Sequence, residues 1–201
     1  MNEALPLFGF STTPLELMSF VLAAITVILT IRQTHWAWLF SILSSATYAL
    51  VFFDAKLYGD MALQIVFIVV SVWGWHQWLH GGTQDSGLPV TRLSRAWRWW
   101  SVLAWLLGFV IVSSFLRSFT DSDVPHVDGF LTAGSLLGQL LLSRKKLENW
   151  HVWIAVDVLY VGLYVYKNLM LTAVLYALFV LLAVIGLRSW KKSLAVPVSG
   201  S

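Results

Sequence analysis

Seven apolar runs, separated by polar breaks, make up most of the chain. They lie at about Pro14–Ile31, Trp36–Phe53, Met61–Trp78, Trp99–Phe115, Gly129–Leu142, Asn149–Tyr166 and Leu169–Leu187. All but the fifth, which is short, are close to the length a helix needs to cross a bilayer, so the pattern predicts an all-α membrane protein of seven transmembrane helices. The breaks are Arg32-Gln33-Thr34-His35, Asp54–Asp60, the linker His80–Gly87, an acidic loop with Asp121, Asp123 and Asp128, and Arg144–Glu148. The last run ends at Arg188-Ser189-Trp190-Lys191-Lys192, with Trp190 expected as an interfacial anchor, and the tail from Ala195 is expected to be disordered. Thr13-Pro14-Leu15-Glu16 spells a capping box at the first helix, which accounts for Glu16 more simply than a role at an outer gate. Met1–Thr13 carries no basic residue and does not resemble the start of a secretory signal. Arg92, Arg95 and Arg98 recur one turn apart beside Leu93, Trp97 and Trp100, as in a basic helix start lying at headgroup level.

The sixth run holds the most informative face. Trp150, Trp153, Asp157, Tyr160 and Tyr164 follow one another at steps of 3, 4, 3 and 4, so a helix aligns all five. Asp157 sits near the middle of the apolar stretch between Glu148 and Lys167. An ionised carboxylate at that depth costs several kcal/mol unless a partner, water or ligand meets it. Aromatic rings on either side form a surface on which a flat cation can stack. An interfacial belt of Trp and Tyr with a structural Asp is the plainer alternative, but a belt gathers at helix ends, whereas this stripe runs the depth of the span.

The chain also repeats itself. Shifted by 112 residues without a gap, Arg32 meets Arg144, Trp38 meets Trp150, Tyr48 meets Tyr160, and the register continues through Leu57/Leu169, Phe67/Phe179, Val72/Val184, Gly74/Gly186 and Trp78/Trp190. Spans one to three (about 14–78) are thus expected to recur as spans five to seven (about 127–190), with span four (about 92–117) as a connector. A shift by four spans preserves direction, so the expected arrangement is 3+1+3 with parallel repeats. The same shift carries the central stripe onto Trp38, Ser41, Ser45, Tyr48 and Phe52, with Ser45 as the counterpart of Asp157. Gln64 and Ser71 lie one period of seven apart on the third span, and their counterparts are Tyr176 and Ala183. Thr132, Ser135 and Gln139 line one face of the fifth. A site at mid-depth between two such halves is a transporter plan, worked by rocking one half against the other.

Composition narrows the classes further. With 58% hydrophobic and 11% charged residues in 201, the chain is expected to form one membrane domain with lipid around it and no separate soluble domain. No cysteine is present, which removes disulfide and thiol chemistry. The net charge of +3 reads as topology, not nucleic-acid binding. One side collects Arg32, Arg92, Arg95, Arg98, Arg144, Lys145, Lys146, Arg188, Lys191 and Lys192, and the other only Lys56, Arg117 and Lys167. The positive-inside rule then puts the amino terminus outside and the carboxyl terminus in the cytoplasm.

With these features the chain resembles the PnuC family of bacterial vitamin transporters. The carrying residues are Leu57-Tyr58 through Gln64 to Gly74-Trp75-His76-Gln77-Trp78, and Arg144-Lys145-Lys146-Leu147-Glu148-Asn149-Trp150-His151-Val152-Trp153. The resemblance implies seven helices in a three-plus-one-plus-three plan in the bacterial inner membrane. It implies uptake of nicotinamide riboside, with related members moving thiamine or riboflavin, by facilitated diffusion made one-way by phosphorylation inside the cell. It also implies that Trp150 and Trp153 stack on the vitamin ring and that Gln64 is a polar contact. Asp157 stands where the nicotinamide riboside members carry Asn. Nicotinamide riboside and thiamine both bear a flat cationic ring suited to an aromatic stripe with a carboxylate, and riboflavin, neutral and larger, fits less well.

The candidate substrate contacts are therefore Trp150, Trp153, Asp157, Tyr160, Tyr164, Gln64, Trp38, Ser45, Tyr48, Tyr176 and Gln139, with no cofactor and no metal expected. His76 and His80 lie four apart but lack a third ligand, so an intramembrane metalloenzyme is disfavoured. No phosphate-binding loop spelling occurs, which leaves ATP-driven pumping by this chain unsupported. Proton coupling stays open, because a buried Asp can exchange a proton for a cationic ligand. Homo-oligomerisation stays open as well.

Overall fold

The computed structural model describes residues 5–7, 10–12, 14–54, 58–82, 87–120, 124–166 and 170–195. Seven helices lie among the described residues: α1 (Pro14–Ile31), α2 (Ala37–Asp54), α3 (Tyr58–His80), α4 (Arg95–Phe119), α5 (Pro125–Ser143), α6 (Asn149–Tyr166) and α7 (Met170–Ala195). A short antiparallel hairpin precedes them, β1 (Leu5–Leu7) on β2 (Phe10–Thr12), with Leu5 opposite Thr12; the hydrophobic pattern gave no sign of it. The side chains of Glu16 and Phe52, the loop aspartates Asp121 and Asp123, Lys56, Lys167 and the tail beyond Ala195 lie outside the described residues.

The helix ends follow local chemistry. Ser94 caps α4 by accepting from the Trp97 amide, so the basic segment and the fourth span form one helix, starting four residues before the apolar run. Pro125 occupies the first turn of α5, where its missing N–H costs nothing. By length and composition, Met61–His80, Arg95–Phe119 and Thr172–Leu194 are long and apolar enough to span a membrane, and Leu17–Ile31 and Ala37–Val51 are shorter apolar stretches. Helices α5 and α6 interrupt their apolar runs with Gln139, His151 and Asp157, which lowers their hydropathy. The buried face of α5 includes Leu131, Gly134, Ser135, Gly138 and Gln139, whereas α4 buries only Ser113.

Helix contacts run α1–α2–α3 and α5–α6–α7, α4 lies on α5, and the two groups meet where α3 packs on α5 and α1 on α7. Each of these pairs except α4–α5 has a counterpart four helices on: α1/α2 with α5/α6, α2/α3 with α6/α7, and α3/α5 with α7/α1.

The turns repeat in the same register. At the end of α1, Gln33 N–H donates to Thr30 O and Thr34 N–H to Leu29 O; at the end of α5, Lys145 donates to Leu142 O and Lys146 to Leu141 O. These are paired Schellman closures, and their left-handed residues are Gln33 (φ 57°) and Lys145 (φ 46°). Glycine is the usual occupant, so each turn carries backbone strain that the flanking contacts must hold. Lys145 is only 7% exposed, with its Nζ 4.4 Å from the Trp78 ring centroid, and burial lowers its pKa from 10.5 to about 8. A segment absent from the first turn straps the second: Thr91 donates to Lys145 O and accepts from the Leu147 amide, and Leu93 N–H donates to Glu148 Oε2.

Four indoles close this basic end of the bundle. Trp38 packs edge-on against Trp78 at 5.5 Å, and Trp150 edge-on against Trp190 at 5.4 Å. Trp38 lies over Gly74 and Trp150 over Gly186, so a methyl at either glycine would stand 2.6 Å from Trp38 Cζ2 or 2.5 Å from Trp150 Cζ2. The bonds between the groups are reciprocal: Trp78 Nε1 donates to Leu142 O at 3.2 Å, and Trp190 Nε1 to Thr30 O at 3.1 Å. Trp190 is 0% exposed, which corrects the expectation of an interfacial anchor. The exposed indoles at this end are Trp36, Trp97, Trp99 and Trp100.

Candidate functional site

Helix α6 leaves the indole core at its first turn and carries its remaining stripe toward the other end of the bundle. Trp150, the first residue of the stripe, is 2% exposed and belongs to the core with Trp38, Trp78 and Trp190. It is thus a packing residue in this structure, as is its counterpart Trp38. The indole N–H groups of both are buried without a hydrogen-bond partner among the described residues. Neighbouring residues of the same motif hold the turn: Glu148 accepts from Leu93, and Asn149 Nδ2 donates to Lys146 O at 2.6 Å.

One turn further on, Trp153 is half-buried and lies across Gly138 of α5, whose missing side chain makes room for the ring; a Cβ there would sit 3.0 Å from Trp153 Cε2. Beside it a polar chain crosses three helices. Gln139 Nε2 on α5 donates to Ser71 Oγ on α3 at 3.2 Å, and Ser71 shares a 3.0 Å hydrogen bond with Ser41 on α2. Ser41 is the repeat counterpart of Trp153, and Ser71 that of Ala183. One group therefore presents hydroxyls where the other presents a ring and a methyl.

Asp157 follows, 6% exposed, and no hydrogen bond or ion pair holds its carboxyl among the described residues. It shares a face of α6 with Tyr160 and Tyr164. Tyr160 lies near the side chain of Ser135 on α5. Tyr176 of α7 lies 4.7 Å from Tyr160 and 5.1 Å from Tyr164 between ring centroids, and Tyr48 of α2 faces it closely enough to interact electrostatically. Three tyrosines thus stack beside a buried carboxylate, and a fourth approaches from the other group.

Of the expected contacts, Asp157, Tyr160, Tyr164, Tyr176 and Tyr48 come together, Trp153 and Gln139 border the adjoining polar chain, and Trp150 and Trp38 lie in the core. Ser45 is buried on α2, and Gln64 is half-buried on α3, two turns from Ser71 on the same face. Reading α6 alone missed the continuation of the cluster: Tyr176 meets Phe179 at 5.8 Å, and Phe179 meets Phe20 of α1 at 5.5 Å. Phe179 was visible only as a repeat match to Phe67. His76 and His80 stack at 4.6 Å, and no group of three metal-ligating side chains occurs among the described residues.

Among the described residues no cation pairs with this buried carboxylate, and phenol rings lie beside it. The phenol rings supply stacking and the Asp supplies charge. Serine, glutamine and tyrosine hydroxyl and amide groups nearby can bond to a polyol such as a ribose or ribityl chain.

Comparison with known proteins places this architecture. The sequence profile of a family described as nicotinamide mononucleotide transporter matches residues 13–192. The riboflavin/roseoflavin transporter RibM of Streptomyces davaonensis is 27% identical over 195 residues, covering 94% of this chain and 90% of the relative. The nicotinamide riboside transporter PnuC of Escherichia coli is 22% identical over 179 residues, covering 77% of this chain and 75% of its own. PnuC of Neisseria mucosa is 26% identical over 168 residues, 77% of this chain and 63% of its own. A crystal structure of the vitamin B3 transporter PnuC superposes with a TM-score of 0.71 at 25% identity, covering 89% of this chain and 80% of that one. A riboflavin transporter is thus among the similar proteins, a vitamin that the charge argument from the sequence had not favoured.

Proposed function

We propose, because the chain belongs to the nicotinamide mononucleotide transporter family and is a vitamin transporter of that family, that its substrate is nicotinamide riboside. The observation that carries this choice is Asp157, a buried carboxylate without a protein partner among the described residues, set against stacked Tyr160, Tyr164 and Tyr176. The nicotinamide ring of the riboside is flat and cationic. Seated on the tyrosines, it returns to Asp157 the electrostatic stabilisation that burial removes. The ribose then lies toward Ser41, Ser71 and Gln139.

Two parallel repeats, α1–α3 and α5–α7, joined by α4 and related by an axis along the membrane normal, move the vitamin by rocking one against the other. The helix pairs related by a shift of four, and the twin turns at Gln33 and Lys145, support this reading. The basic end, closed by the indole core, faces the cytoplasm, so the carboxyl terminus is inside and the amino terminus outside. Flux is downhill, and phosphorylation in the cytoplasm keeps the vitamin from returning.

A second reading is riboflavin, favoured by the 27% identity to RibM across almost the whole chain. The isoalloxazine ring also stacks on tyrosines but carries no positive charge for Asp157. Titrating purified protein with nicotinamide riboside, riboflavin and thiamine, read by tryptophan fluorescence and thermal unfolding, separates the readings. Nicotinamide riboside should bind saturably, and Asp157→Asn should reduce a pH-dependent part of that binding. Saturable binding of riboflavin alone, unaffected by Asp157→Asn, would replace nicotinamide riboside by riboflavin.

A further inference from the structure

A cavity lies away from the tyrosine cluster, at the basic end, in the angle between α4, α6 and the end of α7. It has a volume of about 470 Å³. Its upper rim is cationic: Arg92 from the strap, Arg98 from α4 and Lys191 from α7, with the His151 ring and the Ser101 hydroxyl between them. Arg92 and Lys191 are both near enough to act electrostatically on His151, so the charges converge instead of pointing apart. None of the three cationic side chains is engaged in a hydrogen bond or ion pair among the described residues. One acidic residue lines the cavity, Glu148, and its Oε2 accepts from the Leu93 amide. Below the rim the wall turns apolar, with Val102 and Trp105 on α4 and Leu137 on α5.

This polarity gradient has a direction. It opens beside α4, the helix with least buried surface, whose Val102, Leu103, Leu106 and Leu107 are exposed in sequence down its length. Trp99 and Trp100, also exposed, stand at the level of the rim, where indoles mark a headgroup region. A soluble anion would use the cations and leave the apolar wall in contact with water. An amphiphile with an anionic head uses both.

We infer that this cavity binds the phosphate headgroup of an anionic phospholipid, held by Arg92, Arg98 and Lys191, with its acyl chains lying along α4. Two or three cations around one phosphodiester oppose its charge, and the guanidinium groups can bond to two of its oxygens at once. The strap from Thr91 to Leu93 binds the α5–α6 turn, so a lipid here touches α4, the strap and α6 together and holds the connector against the second group of helices. This site is separate from the proposed vitamin site, and either reading can fail without the other.

Native mass spectrometry of the purified protein, presented with phosphatidylglycerol or phosphatidylcholine, tests this directly. One phosphatidylglycerol should be retained in preference to phosphatidylcholine. The double variant Arg92→Gln/Arg98→Gln should weaken that retention by roughly ten- to thirty-fold. Arg188→Gln, at the same end but outside the cavity, should leave it unchanged, and thermal unfolding of each variant shows whether it is folded. If the double variant unfolds, Lys191→Gln alone takes its place. Equal retention of the two lipids, or equal loss with Arg188→Gln, overturns the inference. Millimolar inorganic phosphate that binds in the absence of lipid and blocks phosphatidylglycerol would assign the cavity to a soluble phosphate instead, and that too overturns it.

Discussion

Two glycines let Trp38 and Trp150 lie directly on the third helix of each group. Adding a methyl at Gly74 or Gly186 places a carbon 2.6 Å from Trp38 Cζ2 or 2.5 Å from Trp150 Cζ2. A comfortable carbon–carbon contact is about 3.5–4.0 Å, so each ring must retreat by roughly 1 Å. Neither ring is free to do so, because Trp78 and Trp190 pack on their edges and are tied across to Leu142 and Thr30. Overpacking of this kind costs about 1–3 kcal/mol, and the higher helix propensity of alanine returns about 1. Gly74→Ala and Gly186→Ala should therefore each destabilise by up to about 2 kcal/mol. Gly162 has nothing within 4 Å of an added Cβ, so Gly162→Ala should gain about 0.5–1 kcal/mol from propensity alone. At about 2–4 °C per kcal/mol, the core variants should melt several degrees below Gly162→Ala, and by similar amounts to each other. Thermal unfolding followed by tryptophan fluorescence measures this. Core variants as stable as Gly162→Ala would refute the packing, and opposite shifts at Gly74 and Gly186 would refute the equivalence of the two groups.

Other outcomes follow from the same geometry. Trp78→Phe and Trp190→Phe each leave a carbonyl without its indole donor, so each should lose about 1 kcal/mol, and together they should open the basic end to a soluble quencher. Trp150→Ala should act mainly on folding, by about 3–5 kcal/mol, whereas Trp153→Ala should weaken vitamin binding by about 1–3 kcal/mol in a protein that still folds. Burial holds the Lys145 pKa at about 8 against 10.5, so between those values the folded state carries fewer protons than the unfolded one and stability rises with pH. Lys145→Gln, which copies the residue at the twin turn, should abolish that rise in melting temperature; a rise that persists assigns it to another group.

The helices were legible because they are written in short-range spacing. Apolar runs set α1 and α6 to the residue, and the expectation of a duplication rested on an ungapped register of Trp, Tyr, Arg and Gly. The role of Trp150 was not legible. Helical periodicity says which residues share a face, but Trp150 and Tyr164 share one and meet different surroundings, because Gly186 and Trp190 cover only the first turn. The left-handed turns were hidden because Gln33 and Lys145 occupy positions where glycine would have announced them. The strap at Thr91 joins backbone groups more than fifty residues apart along the chain, which no local pattern encodes. The tyrosine cluster was half legible: Asp157, Tyr160 and Tyr164 stood out on α6, whereas Phe20 and Phe179 joined through packing between α1 and α7.

The most direct measurement is uptake of labelled nicotinamide riboside into liposomes that hold the purified protein and no ATP. Uptake should be saturable, should stop when inside and outside concentrations are equal, and should run in reverse when the outside is diluted. Asp157→Leu, which removes both charge and acceptor from the tyrosine cluster, should abolish it, while Asp157→Asn retains part. Absence of saturable flux, accumulation above the outside concentration under an imposed pH gradient, or an Asp157→Leu variant as active as the unaltered protein would contradict passive transport through this site.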